Sequence, residues 1–163
     1  MSAKTITILG INPGTKYLAV AVFRGSELRE WSIKTFKGKW SKVKMKKIIA
    51  VIADIITQYD ADILAIKQLH PSRSSHYLDL LVSEIKNTAR RRGLSIYDYS
   101  IKQLERFFCP EGKNNKERMT ERIVLEYPVL FYEFNKEKNH KNPYYIRLFE
   151  AVALGSICHD QSG

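Results

Sequence analysis

The chain alternates between two hydrophobic rhythms. Thr5 to Ile11 is a β-branched apolar run that stops at Asn12-Pro13-Gly14, the pattern of a buried strand ended by a turn. Tyr17 to Phe23 is a second such run, Arg24-Gly25-Ser26 is a turn, and Leu28, Trp31 and Ile33 mark a third strand. Three strands joined by tight turns predict an antiparallel meander. The period then changes. Met45, Ile48, Ile49, Ile52, Ile55 and Ile56 follow the three-and-four spacing of a helix face. Ile63 to Ile66 is a short strand. Leu78, Leu81, Val82, Ile85 and Ala89 mark a second helix, which Gly93 stops, and Leu94 to Tyr99 is a fifth strand. Ser100 with Gln103 has capping-box spacing and opens a short helix. Met119, Ile123 and Val124 predict a further helix ending before Pro128. Asn142-Pro143 reads as the cap and first residue of a last helix that buries Tyr145, Leu148, Phe149, Val152 and Ser156.

The order β-β-β-α-β-α-β-α-α-α predicts an α/β fold. Its mixed sheet has five strands, three antiparallel and then two parallel, with helices on both faces. No repeat or linker interrupts it, so residues 1–163 read as a single domain. The polar stretch Glu133 to Asn142 reads as an exposed loop. Hydrophobic residues at 44% and charged residues at 27% exclude a disordered or fibrous chain.

Charge changes the picture. Lys and Arg number 27 against 17 Asp and Glu, a formal charge of +10, which favours a polyanionic partner, nucleic acid first. Cys109 and Cys158 lack metal-site spacing and read as reduced thiols of a cytoplasmic protein. His70, His76, His140 and His159 show no metal-ligand spacing either. No run approaches the length of a membrane span. The N-terminal apolar run has no small-residue cleavage site after it, so it does not read as a signal peptide.

In the expected topology the first and fourth strands are central neighbours, and their C-terminal ends carry Asn12 and Lys67. The last helix offers Arg147 and Glu150, three residues apart. These four side chains converge at the sheet edge where α/β proteins build their sites.

Here the sequence resembles the RuvC-like Holliday-junction resolvases of the RNase H fold. Ile8-Leu9-Gly10-Ile11-Asn12-Pro13-Gly14 is similar to the family's first motif, with Asn12 where the family has Asp. Leu64-Ala65-Ile66-Lys67-Gln68 resembles the second motif, with Lys67 in place of Glu. Gly93 to Ser100 resembles the fifth strand and its turn. Gln103-Leu104 through Gly112 to Lys116-Glu117 resembles the loop and helix that follow. Glu150-Ala151-Val152-Ala153-Leu154 resembles the closing helix, where acids are expected at Arg147 and Glu150. The resemblance implies an RNase H-like fold, a dimer, and branched DNA as partner. It also implies phosphodiester cleavage by divalent metal ions held by four carboxylates. Hard cations close together require oxygen ligands.

The departures bear on activity. Asn12, Lys67, Arg147 and Glu150 carry one net positive charge where the family pattern carries four negative ones. A divalent ion about 4 Å from Lys67 or Arg147 meets a repulsion of about 8 kcal/mol at an effective dielectric near 20. The site therefore reads as degenerate, holding no metal and requiring no cofactor. Two compatible readings follow. Lys67 and Arg147 pair with Glu150 as an ion cluster, or the positive cluster grips a phosphate.

Lys37, Lys39, Lys42, Lys44, Lys46 and Lys47 interleave with Phe36 and Trp40 before the first long helix. Basic residues among aromatics suit a surface that tracks a nucleic-acid backbone, and lysines at a helix start oppose its dipole. His70, Arg73 and Tyr77 follow the second motif as candidate contacts, and Lys113 and Lys116 join them. The function expected is binding of branched or structured nucleic acid, four-way DNA junctions first, with cleavage lost or weakened. One alternative is an active Mg2+-dependent junction endonuclease with ligands recruited from Asp98, Glu30 or Asp79. The other is an interaction module that needs no nucleic acid.

Overall fold

The computed structural model describes residues 4–73, 75–112, 116–139 and 144–162. Five strands form one sheet: β1 (Thr7–Asn12), β2 (Tyr17–Arg24), β3 (Glu27–Thr35), β4 (Ile63–Lys67) and β5 (Ser95–Tyr99). Their spatial order is β3-β2-β1-β4-β5. β1 pairs antiparallel with β2, and β2 with β3, while β4 runs parallel to β1 and β5 parallel to β4. The expected mixed sheet and its central pair are both found.

Among the described residues six α-helices flank the sheet: α1 (Lys42–Tyr59), α2 (His76–Arg91), α3 (Ile101–Phe108), α4 (Lys116–Glu126), α5 (Phe131–Asn139) and α6 (Ile146–Ser162). Strand alternation sends odd and even side chains into two cores. Leu9, Ile11, Val20, Val22, Leu64 and Ile66 pack with Ile48, Ile52, Leu81 and Ile85 of α1 and α2. Ile8, Ala21, Phe23 and Ala65 pack with Phe149, Val152 and Leu154 of α6. The capping box is complete: the Gln103 amide N–H donates to Ser100 Oγ at 3.2 Å, and the Ser100 N–H donates to Gln103 Oε1 at 2.7 Å. Ser75 caps α2 through the Leu78 N–H at 3.1 Å.

α6 lies very close to the sheet because glycines stand at the contact. A Cβ on Gly10 would sit 2.4 Å from the Ala151 carbonyl oxygen, and one on Gly155 would sit 2.3 Å from the Phe23 ring. Every residue from Leu148 to Cys158 is buried, so α6 is a core element with its first turns at the sheet edge.

One expectation is corrected. The stretch from Glu133 is not a loop; residues 131–139 form α5. Its apolar residues are too few to set a period. Two long-range contacts fix it instead: Phe134 meets Phe149 edge-on at 6.5 Å, and Trp31 Nε1 donates to Glu133 Oε1 at 3.1 Å. The expected cap at Asn142-Pro143 lies outside the described residues.

Candidate functional site

β1 and β4 end side by side, and the residues that end them point to the α6 face. Asn12 closes β1 and Lys67 closes β4. Above them the second turn of α6 presents Glu150, only 2% exposed. A carboxylate this deep is stable only if donors surround it. Lys67 Nζ donates to Glu150 Oε2 at 2.5 Å, and Asn12 Nδ2 donates to the same oxygen at 3.0 Å. Lys116 Nζ, from the start of α4, lies 3.7 Å from Oε1. Asn12 Nδ2 also reaches the Arg147 carbonyl oxygen at 3.3 Å.

The cluster forms the wall of a groove of about 450 Å³. Lys16, Lys67, Lys116 and Arg147 line it against the single carboxylate of Glu150, an excess of three positive charges. The Arg147 guanidinium lies over the Tyr17 ring, 4.7 Å from its centroid. Asn12, Lys67, Arg147 and Glu150 are thus brought together. Lys16 and Tyr17 also line the groove, beyond the four residues expected there, and both stand just after the turn that ends the first motif. Lys116 was expected as a contact to nucleic acid; here it also faces Glu150.

The groove does not fit the metal ions the family resemblance implies. Hard divalent cations require several oxygen acceptors, whereas an ammonium and an amide donate into the one carboxylate present. The acids considered as substitute ligands do not reach it. Glu30 pairs with Val22, and Asp98 with Ile66, so both project from the α1/α2 face of the sheet. There Glu30 accepts the Tyr59 hydroxyl, and Asp98 accepts Lys86 Nζ at 3.1 Å. Asp79 is in the first turn of α2 and does not line the groove. Among the described residues no three His, Cys, Asp or Glu side chains are grouped to hold a metal ion.

The basic segment splits in two. Lys37, Lys39, Lys42, Lys46 and Lys47 are exposed. Lys44 is turned inward, 8% exposed, and its Nζ donates to the Gly38 carbonyl oxygen at 2.8 Å. It lies one turn before Ile48 and two before Ile52 on the buried face of α1, and it ties down the loop that carries its neighbours. Trp40 at the end of that loop stacks on Tyr77 at the start of α2, with centroids 5.5 Å apart and planes 19° apart. Tyr77 remains half exposed. The loop adjoins the groove, since the Phe36 N–H donates to the Lys16 carbonyl oxygen at 2.8 Å and Leu78 is part of the groove wall. His70 is held locally by Ser72, whose hydroxyl lies 2.6 Å from Nδ1, and Arg73 ends a short 3-10 turn. Lys113 lies outside the described residues.

Burial raises both thiols. Cys109 is raised by desolvation despite nearby Arg122, and Cys158 by desolvation despite its hydrogen bond with Tyr99. Neither faces the groove. No helix among the described residues is long and apolar enough to cross a membrane.

No protein-family model matches the sequence, and no curated protein matches it. Solved structures do match. The chain superposes on Thermus thermophilus RuvC in complex with a Holliday junction substrate with a TM-score of 0.72 and 14% identity, covering 97% of this chain and 96% of that one. A second Thermus thermophilus RuvC structure gives 0.72 and 15%, covering 97% of both chains. The chain has the RuvC fold.

Proposed function

We propose that this chain binds branched or structured nucleic acid, four-way DNA junctions in preference to linear duplex, and that its phosphodiester cleavage is lost or weakened. The observation that carries this is the groove at the β1/β4 edge, lined by four cations and one buried carboxylate. It supports backbone binding because Lys and Arg are the usual donors to phosphate oxygens. It supports weakened cleavage because an ammonium and an amide donate to the carboxylate where metal ligands are required. The overall charge of +10 and the exposed lysines beside Trp40 and Tyr77 extend a cationic path away from the groove. A RuvC of the same fold has been solved with a Holliday junction. A homodimer, which the resemblance implies, has a symmetry that matches a four-way junction.

A competition shift assay tests the binding. Junction DNA should outcompete duplex at moderate salt, and log K should fall with log salt by about 0.9 per phosphate contacted. Equal affinity for the two sinks the junction preference, and a flat salt dependence sinks nucleic-acid binding. With Mg2+ or Mn2+ no junction cleavage should appear. Cutting that vanishes in Glu150→Gln would show an active nuclease instead.

A further inference from the structure

We infer that the Lys67 ammonium stands in this chain where a divalent cation would otherwise be needed, so that the groove holds a phosphate group without metal. The inference rests on the nucleic-acid reading above for the source of that phosphate, the phosphodiester backbone. Its chemistry comes from the fit between three residues. Asn12 Nδ2 has two acceptors, Glu150 Oε2 and the Arg147 carbonyl oxygen. A carboxylate at position 12 would turn oxygen against oxygen on both sides, and only a cation between them would relieve it. An amide removes that need by donating.

Lys67 completes the exchange. Its ammonium meets Glu150 Oε2 at 2.5 Å, and its side chain is 25% exposed, so it spans from the buried carboxylate to the groove. An ammonium has three protons, and Glu150 Oε2 takes one. Lys116, 42% exposed, spans in the same way from Oε1. Glu150 thus acts as a positioning residue that aims two amines at the groove. Its one negative charge leaves the groove cationic by three. A concave wall of one sign concentrates counter-ions, and phosphate oxygens accept from Lys and Arg with charge-assisted hydrogen bonds.

The test uses the full chain and inorganic pyrophosphate as probe, followed by calorimetry in EDTA and again with Mn2+. The unmodified protein should bind pyrophosphate in EDTA, and pyrophosphate should displace junction DNA. Lys67→Gln, with its fold checked by thermal melting, should weaken binding about tenfold or more through the lost charged donor. Lys67→Glu, which sets two carboxylates face to face, should bind only when Mn2+ is present. Pyrophosphate binding that requires Mn2+ in the unmodified protein overturns the inference. So does an absence of pyrophosphate binding while junction binding persists, and that result leaves the proposed function standing. Pyrophosphate binding without junction binding supports the subsite, assigns it to free phosphates, and refutes the proposed function.

Discussion

Gly10→Ala adds one methyl group at the seam between the sheet and the helix that carries Glu150. The new Cβ would lie 2.4 Å from the Ala151 carbonyl oxygen and 3.2 Å from the Gly155 nitrogen. Both are backbone atoms of a helix buried from Leu148 to Cys158, so no side chain can swing aside. To reach even 3.0 Å the helix must retreat by at least about 0.6 Å; overpacking of this kind costs about 1–3 kcal/mol, and a backbone neighbour puts it near 3. For a domain of this size that lowers Tm by roughly 6–12 °C. Two residues along the same strand, the Asn12–Glu150 hydrogen bond is 3.0 Å long. A retreat of about 0.6 Å takes it beyond the usual limit of about 3.2 Å, so pyrophosphate affinity should fall as well. Gly93→Ala is the control. Gly93 has φ +83° with nothing within 4 Å of an added Cβ. It should cost only the left-handed penalty, about 1 kcal/mol, or roughly 2–4 °C. Calorimetric melts of the three proteins decide the matter. Gly10→Ala melting as high as Gly93→Ala would refute the packing argument.

Four further outcomes are expected. Changing Lys39, Lys42 and Lys46 to Glu should weaken junction binding in the shift assay while moving stability by no more than about 0.5 kcal/mol each. Lys44→Glu, which turns a buried carboxylate toward the Gly38 carbonyl oxygen in place of a donor, should lower Tm by more than any of them. Tyr77→Ala should weaken binding by about 1–3 kcal/mol if a base stacks there; unchanged affinity would make Trp40–Tyr77 a cover for the core. For Asp62, burial raises the carboxyl, but the Thr7 N–H at 2.9 Å and Lys4 Nζ at 3.0 Å outweigh it and hold the group below its usual value. A lowered folded pKa adds stability that is present above the unfolded value and lost as pH falls through the folded one. Urea midpoints from about pH 6 to about pH 2 should therefore fall less in Asp62→Asn than in the unmodified chain.

The five strands and five of the six helices found among the described residues were legible because their apolar residues keep a clean period of two or of three and four. The four residues at the β1/β4 edge were legible because topology alone brings strand ends and a helix start together. What escaped notice depends on contacts between distant segments. α5 has too weak a period of its own, and Phe149 and Trp31, far away in sequence, anchor it. Lys16 and Tyr17 join the groove only when the turn after β1 folds back beneath Arg147. Lys44 was grouped with its charged neighbours, although its spacing of four and eight to Ile48 and Ile52 already places it on the buried face of α1.

Glu150 interrupts an otherwise uncharged, buried stretch of α6, and the donors around it serve both stability and anion binding. A double-mutant cycle can separate the two roles. Lys67→Met alone leaves a carboxylate that is 2% exposed with Asn12 still donating and Lys116 3.7 Å away. Breaking a fully buried pair costs about 3–5 kcal/mol, but Lys67 is a quarter exposed and two donors remain, which brings the expected loss to about 1–3 kcal/mol. Adding Glu150→Gln removes the stranded charge, and neutral replacement of both partners is often without net cost. The double variant should therefore melt near the unmodified protein. It should not recover pyrophosphate affinity, because the ammonium is gone and nothing aims Lys116. Stability restored without binding would place the charge of Lys67 at the ligand and the charge of Glu150 behind it. A double variant no more stable than Lys67→Met would show that Asn12 and Lys116 satisfy the carboxylate by themselves and that no charge was stranded.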